Sequence, residues 1–243
     1  MTVPDYPRFL PAGDTALVVE LGDAVDARIN GRVLALDRLV VDAQIDGITE
    51  TLPTYRSLMV FYEPLVLSAA ALTRELAEML ARVPENPAPA RGRAWIVPTV
   101  YGGEFGIDLA DAAARLAISE SALIERHAAR AYRVFMIGFQ PGFSYLGVLD
   151  PSLVLPRHAE PRVKIPSGTV SIAGTQTVIN SVEAPSGWNL IGRTPERLFD
   201  LRRARPFLLA AGDEVRFRPV PASEWSALEA RVAAGETVAE PAR

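Results

Sequence analysis

The chain has 243 residues, enough for one large or two small domains, and a formal net charge of −4, which gives no electrostatic case for binding nucleic acid. It contains no cysteine, so disulfide bonds, thiol nucleophiles and cysteinyl metal sites are excluded. Its two histidines, His127 and His158, cannot form a three-histidine metal centre, and we expect no bound metal.

The first nine residues have no basic run followed by an apolar segment, which argues against a signal peptide. The longest apolar runs, such as residues 58–62, are far too short to cross a bilayer. We therefore expect a cytoplasmic protein that makes no membrane contact.

The first 84 residues predict a small α+β sandwich domain, because their elements follow the order strand, helix, strand, strand, helix. Alternating residues indicate the strands, and apolar residues at helical spacing indicate the helices. The predicted elements are a strand over 9–21 entered through a turn at 11–14, a helix over 23–41 with Asp23 as its N-cap, strands over 48–52 and 57–62, and a helix over 68–83 that begins at Ser68.

A proline-rich segment over residues 85–93 predicts a linker. Pro87 and Pro89 lie within it and Pro84 directly precedes it, and prolines at this density cannot continue a helix or a central strand. They also stiffen a spacer between domains. We place the domain boundary at this segment.

Residues 94–243 predict a second domain built mainly of short strands with glycine and proline turns between them, which is typical of a β-barrel or sandwich. The predicted elements are a strand over 95–101, helices over 109–117 and 119–132 with Ser119 as the N-cap of the second, strands over 134–137, 169–172, 176–179, 190–191 and 215–218, and a surface helix over 222–233.

Three glycine- and proline-rich clusters, at residues 138–145, 164–170 and 186–195, predict a binding cleft in this second domain. Proline restricts φ and glycine permits positive φ, so such loops hold unusual shapes, and sites tend to lie on loops of this kind. The candidate ligand-binding side chains in or beside these clusters are Gln140, Phe143, Tyr145, Arg162, Trp188 and Arg193.

His127 is the first candidate catalytic residue. It belongs to the inward stripe of its predicted helix, where a lone histidine is usually a structural group. The helix nevertheless leads directly into the first glycine cluster, and histidine is the natural acid–base group near neutral pH. Both interpretations stay open.

The remaining candidates are polar or aromatic. Arg162 and Lys164 share strand parity, so they could bind a carboxylate together, or they could lie on a solvated edge strand. The Gln176 carboxamide suits a ligand amide or lactam, or it is satisfied by backbone. Trp188 could form a pocket wall or belong to the core, and Arg193 could clamp an anion or hold its loop.

Taken together, the motifs resemble the family of 5-oxoprolinase B subunits, allophanate hydrolase subunit 1 and KipI-like carboxyltransferase-domain proteins. The resemblance covers nearly the whole chain. It rests on residues 11–17, 53–58, 138–147, 161–162, 166–170, 173–177 and 186–195, together with His127 and Tyr132. It implies an α+β protein in which a small α/β sandwich domain precedes a cyclophilin-like β-barrel domain.

The resemblance implies an enzyme subunit that cleaves 5-oxoproline to L-glutamate together with subunits A and C. ATP is then used by the complex, on the partner subunits, and this chain binds no cofactor and is inactive alone. Arg162 and Lys164 would meet the anionic part of the substrate, Gln176 its amide, and His127 would support proton transfer. Lys164→Ala should then lower activity by more than about tenfold.

Two alternatives remain within the resemblance. The chain could be subunit 1 of an allophanate hydrolase or urea carboxylase-type carboxyltransferase, or a KipI-like inhibitor of a sensor histidine kinase. The chain also departs from the family pattern at Asn180-Ser181, where Tyr-Pro is usual, which bears on substrate identity. Arg157, His158 and Glu160 are interpreted as a polar turn.

Overall fold

The computed structural model describes residues 5–87 and 92–242. The chain divides into two compact units, Met1–Arg91 and Gly92–Arg243. Part of the predicted linker, residues 88–91, lies outside the described residues. None of the helices that the structure describes is both long and apolar enough to span a membrane.

The first unit is a four-stranded antiparallel sheet with two helices packed on one face. Its elements are β1 (Arg8–Pro11), β2 (Ala16–Glu20), α1 (Ala27–Ala43), β3 (Ile48–Pro53), β4 (Ser57–Tyr62) and α2 (Ala69–Ala81). The strand order is β1-β2-β4-β3. Alternate residues of β2 and β4, such as Val19 and Leu58, pack against Leu36 of α1 and Leu72 of α2. The sequence pattern predicted the two layers, but the single strand predicted over 9–21 was wrong, because the turn at 11–14 divides it into β1 and β2, which pair with each other.

The ends of these elements follow local hydrogen bonds. Ser68 is the N-cap of α2 as predicted, because its Oγ accepts from Ala71 N at 3.2 Å. The predicted N-cap of α1 was wrong. Asp26, not Asp23, accepts from the backbone N–H groups of Arg28 and Ile29, so the helix begins later than residue 23.

The second unit is a closed β-barrel with three helices and a separate two-stranded ribbon. Its elements are β5 (Ala94–Tyr101), α3 (Leu109–Arg115), α4 (Glu120–Ala128), β6 (Ala131–Ile137), β7 (Ser144–Gly147), β8 (Arg162–Ile165), β9 (Thr169–Ala173), β10 (Gln176–Ile179), β11 (Ala184–Ser186), β12 (Asn189–Arg193), β13 (Glu214–Pro219), α5 (Trp225–Ala233) and β14 (Glu240–Pro241). The barrel confirms the predicted fold class.

Seven strands form the barrel in the order β12-β9-β10-β7-β6-β13-β5, and a pairing between β12 and β5 closes it. Only the β13–β5 pair is parallel among these strands. β14 extends the sheet beside β5, and β8 pairs with β11 outside the barrel. Closure gives each barrel strand an inner and an outer face, since successive side chains point in opposite directions.

The helix that carries His127 is shorter than predicted. α4 ends at Ala128, and β6 begins at Ala131, so the predicted helix over 119–132 was wrong in its last turn. The Tyr132 hydroxyl donates to the His127 carbonyl at 2.8 Å, which satisfies an acceptor at the helix end. The predicted N-cap Ser119 is confirmed by a 3.1 Å bond from Ala122 N.

Candidate functional site

A cleft of about 250 Å³ lies on the outer face of the barrel, over β7 and β10. It lies below the roughly 300–1,000 Å³ typical of sites for drug-sized ligands, so it suits a molecule of amino-acid size. The cleft is lined by Phe139, Phe143, Tyr145, Arg157, Asn180, Pro185, Ser186, Gly187 and Trp188. The first and third predicted glycine clusters therefore meet there.

Aromatic rings form the walls of this cleft. The Phe143 ring lies edge-on to Tyr145, with centroids 4.7 Å apart, and edge-on to Phe139 at 5.7 Å. Phe143 and Trp188 are buried and pack with Val178 of β10 in one apolar cluster. The aromatic lining favours a flat, partly apolar ligand.

A tight loop brings the aromatic residues together. Gly138 N donates to Phe143 O and Phe143 N donates to Gln140 O, each at 3.1 Å. Gly142 has φ +76°, and a Cβ there would lie 2.9 Å from the Phe199 Cβ. Glycine is required because any side chain would meet both backbone strain and a steric clash.

Polar groups of three kinds accompany the aromatic walls. The guanidinium of the exposed Arg157 lies 5.2 Å from the Trp188 ring centre. Among the described residues it makes no ion pair with a carboxylate, so its charge is available to an anion. Burial raises the pKa of the Tyr145 hydroxyl, although Arg157 opposes this, so the hydroxyl stays protonated near neutral pH. Asn180 contributes a carboxamide.

Two other depressions are larger but lack this combination of aromatic and polar groups. One of about 330 Å³ lies beside α1 and β3 of the first unit and has no aromatic lining. Another, of about 560 Å³, is a mostly apolar surface around Phe207 and Pro206. The cleft around Trp188 alone of these three combines aromatic walls with an uncommitted cation and a buried amide.

His127 is not part of this cleft, because it lies fully buried in the barrel core. Its Nε2 lies 2.9 Å from Thr177 Oγ1, and its Nδ1 lies 2.8 Å from the Tyr101 hydroxyl. Since the Thr177 hydroxyl donates to Ser171 O, it must accept from Nε2–H, and Tyr101 then donates to Nδ1. Burial lowers the pKa of His127 to about 3, which keeps the ring neutral.

The two faces of β10 separate His127 from the cleft. The Thr177 side chain points inward to His127, whereas its neighbour Val178 packs in the outer cluster with Trp188. Successive residues of a strand point to opposite faces, so both cannot reach one ligand. The catalytic role predicted for His127 stays a prediction, and the structure places the residue away from the other candidates.

Arg162 and Lys164 lie on β8 and are each paired with a different carboxylate. Arg162 Nη2 donates to Asp108 Oδ1 at 2.5 Å, and the other oxygen of the buried Asp108 accepts from Leu190 N. Lys164 Nζ lies 2.8 Å from Glu183 Oε1 on the surface. Neither side chain lines the cleft, and the structure does not bring them together on one anion.

Replacing Lys164 by alanine separates a surface role from a substrate-binding role. Its side chain is 68% exposed, so we expect the free energy of unfolding to change by less than about 0.5 kcal/mol. Because Lys164 does not line the cleft, we expect the activity that the family resemblance implies to stay within about twofold. A tenfold loss in the activity assay with unchanged stability would instead support the substrate-binding role. Glu183→Ala is the matched control for loss of the ion pair.

The other predicted residues lie in different places. Gln176 is half-buried at the start of β10, on the same face as Val178, but it does not line the cleft. Gln140 belongs to the loop that carries the cleft residues Phe139 and Phe143. Arg193 lies elsewhere: its Nε donates to Ser167 O at 2.8 Å and its guanidinium covers Trp225.

The family model described as carboxyltransferase domain, subdomain C and D, matches residues 7–209. The chain belongs to this family. Two curated relatives are each named as the B subunit of 5-oxoprolinase. The relative from Escherichia coli O157:H7 is 41% identical over 211 residues, covering 85% of this chain and 93% of the relative. The relative from Bacillus subtilis (strain 168) is 36% identical over 225 residues, covering 88% and 93%.

A solved structure of the Kluyveromyces lactis urea carboxylase has a similar fold. It superposes with a TM-score of 0.78 at 20% identity, covering 96% of this chain and 24% of that protein. At this identity the likeness shows the fold alone, and the present chain spans about a quarter of the yeast enzyme. The family and the fold predicted from the sequence motifs are confirmed.

In this member of the carboxyltransferase-domain family, sequence reasoning missed Arg157 and Asn180 as cleft residues. Asn180 could have been found, because it follows β10 with the same alternation as Gln176 and Val178. Nothing local distinguishes Arg157, which was interpreted as part of a polar turn. Its position over Trp188 depends on a contact between distant parts of the chain.

Proposed function

We propose that this chain is the B subunit of an ATP-dependent 5-oxoprolinase, which cleaves 5-oxoproline to L-glutamate together with subunits A and C. The two relatives named as B subunits of 5-oxoprolinase support the assignment, since this chain spans 93% of each. The absence of cysteine is compatible with the cytoplasm, where we expect the complex to act.

The observation that carries the proposal is the chemical character of the cleft. Its described lining offers aromatic walls, the free guanidinium of Arg157 and the carboxamide of Asn180. These groups suit a small, flat amide with a carboxylate, and 5-oxoproline is such a molecule. Arg157 would bind the carboxylate of the substrate through charge-assisted hydrogen bonds.

The cleft binds without supplying the chemistry. None of its described lining residues is a carboxylate, a histidine or a lysine, and the Tyr145 hydroxyl stays protonated near neutral pH because burial raises its pKa, so the described lining offers no general base at neutral pH. Amide resonance makes a lactam hard to open, and phosphorylation of its carbonyl by ATP removes that resonance. We assign the ATP site and the acid–base groups to subunits A and C, and expect this chain to be inactive alone.

The experiment is to purify the tagged chain with its natural partners and assay ATP hydrolysis that depends on 5-oxoproline. We expect activity only when this chain is present. Arg157→Met should lower kcat/KM by about tenfold to a hundredfold, because a lost charge-assisted contact removes substrate binding. Arg216→Met, at an exposed position of β13, is the matched control and should leave kcat/KM unchanged.

Other outcomes identify the alternatives. Co-purification of a biotin-dependent carboxylase, with turnover of urea, would move the assignment to a urea carboxylase-type carboxyltransferase, which the description of the matching family model favours. Normal activity of Arg157→Met would remove Arg157 from the site. A purified complex without 5-oxoproline-dependent ATP hydrolysis would reject the proposed function.

A further inference from the structure

The side-chain amide of Asn180 is buried and uncommitted. The residue is 2% exposed and lines the cleft, while its backbone is held by bonds between Asn180 N and Thr169 O and between Gly168 N and Asn180 O. Among the residues that the structure describes, Oδ1 finds no hydrogen-bond partner. The backbone therefore holds in place a side-chain oxygen that makes no hydrogen bond within the described part of the chain.

An unpaired buried amide is unfavourable for folding. In its present rotamer the oxygen has almost no contact with solvent, so it loses its hydration without gaining a hydrogen bond, although rotation about χ2 can turn the amide of this cleft-lining residue towards a ligand. A leucine of similar size would avoid that penalty. Buried polar groups that lack a partner call for an explanation other than stability, and a ligand that completes the hydrogen bonds is one such explanation.

We infer that Asn180 recognises the ring amide of a carboxylated lactam bound in the cleft. This inference rests on the proposed function for the identity of that lactam, 5-oxoproline. The cleft supplies the other two contacts. The ring of the ligand would pack against the aromatic lining that includes Tyr145 and Trp188, and Arg157, which lies beside Trp188, would bind the carboxylate.

The shape of a lactam explains why a carboxamide suits it. A five-membered ring holds its amide cis, so the N–H and the C=O lie side by side on one edge. An open-chain secondary amide is trans and presents them on opposite sides. The primary amide of Asn180 offers one acceptor and two donors, and its χ2 turns over a broad range, so it can pair with both groups of that edge.

The same pairing distinguishes substrate from product. Ring opening converts the cis amide of 5-oxoproline into a carboxylate and an ammonium group, which removes the edge that Asn180 binds. Glutamate keeps the carboxylate for Arg157 but loses the contact with Asn180. The cleft therefore holds the lactam and releases the product.

The test is isothermal titration of the full-length chain and of the assembled complex with 5-oxoproline, L-proline and L-glutamate. We expect Asn180→Leu to weaken 5-oxoproline binding by about tenfold to a hundredfold, since the lactam loses its partner. L-Proline and L-glutamate should bind the parent at least about tenfold more weakly than 5-oxoproline and respond little to the substitution.

Ser181→Ala is the matched control. Ser181 Oγ is likewise buried without a partner among the described residues, but Ser181 does not line the cleft. Its removal should leave 5-oxoproline binding unchanged. Asn180→Leu should also leave the melting temperature of the free chain unchanged or raised, because no hydrogen bond is lost. A structural asparagine would give the opposite result, a lowered melting temperature with unchanged affinity.

The outcomes separate this inference from the proposed function. Asn180-dependent lactam binding in a complex that lacks 5-oxoproline-dependent ATP hydrolysis would reject the function and keep the inference. Normal hydrolysis with kcat/KM of Asn180→Leu within about twofold of the parent would reject the inference and keep the function. Failure of 5-oxoproline to bind either the chain or the complex overturns the inference.

Discussion

Replacing His127 by leucine is expected to destabilise the barrel unit by about 2–4 kcal/mol at pH 7. The side chain is fully buried, and both ring nitrogens are used, one donating to Thr177 and one accepting from Tyr101. Leucine would leave the buried Tyr101 hydroxyl without its acceptor. The loss is measured by urea unfolding followed by tryptophan fluorescence, because Trp95, Trp188 and Trp225 all lie in the barrel unit.

The pH dependence of this loss has a defined sign. Burial lowers the pKa of His127 from the ordinary 6.5 to about 3 in the folded chain. Between these values the unfolded chain binds a proton at His127 that the folded chain does not. The contribution of the buried, neutral His127 ring to the free energy of unfolding is therefore complete above pH 6.5. It falls by about 1.4 kcal/mol for each pH unit below that value.

The difference in unfolding free energy between the parent and His127→Leu should therefore be largest at pH 7 and shrink towards pH 4.5. Contributions from other titrating groups cancel in that difference. An equal difference at both pH values would show that folded His127 titrates normally. Activity well below the melting temperature gives a second readout. We expect kcat of the proposed complex to be preserved, whereas an altered kcat with a changed pH profile would support proton transfer by His127.

Replacing Glu196 by alanine is expected to cost about 3–5 kcal/mol of stability in the same unit. Its buried carboxylate receives Arg203 Nη2 at 2.7 Å on one oxygen. The other oxygen accepts from Val238 N and Ala239 N at 2.7 and 2.8 Å. Alanine would leave a largely buried cation and two backbone N–H groups unpaired, and would loosen the segment that leads into β14.

The same fluorescence-detected unfolding measures this effect. Glu196→Gln keeps the size of the side chain and one acceptor, so it should lie between the parent and the alanine variant. Glu236→Ala is the matched control, because the Arg231–Glu236 pair is more than half exposed on both sides. It should change stability by less than about 0.5 kcal/mol. Equal effects of Glu196→Ala and Glu236→Ala would contradict the structural account.

The elements that sequence reasoning predicted well depend on short-range patterns. Alternation in β2 and β4, and helical spacing in α2, led to the correct layers in the first unit. The caps at Ser68 and Ser119 were identified because a side-chain oxygen bonds a backbone group three residues away. The end of α4 was missed because it depends on the strand that follows it.

The candidate site was predicted only in part. Two glycine clusters indicated the cleft, and Phe143, Tyr145 and Trp188 line it. The departure from the family motif at Asn180-Ser181 falls at the same place. Arg162, Lys164 and Arg193 are instead held by other contacts, with Asp108, Glu183 and Ser167.

The sequence by itself predicted the α+β class and the cleft-forming loops, because spacing, caps and turn residues act over a few positions, and the resemblance of its motifs to a known family implied the barrel. Only the tertiary structure decided which side chains meet. Thr177 reaches His127 across 50 positions of the chain, while Val178 faces the cleft on the other side of β10. Local patterns cannot specify such contacts, since barrel closure chooses the partner strands and the inward face.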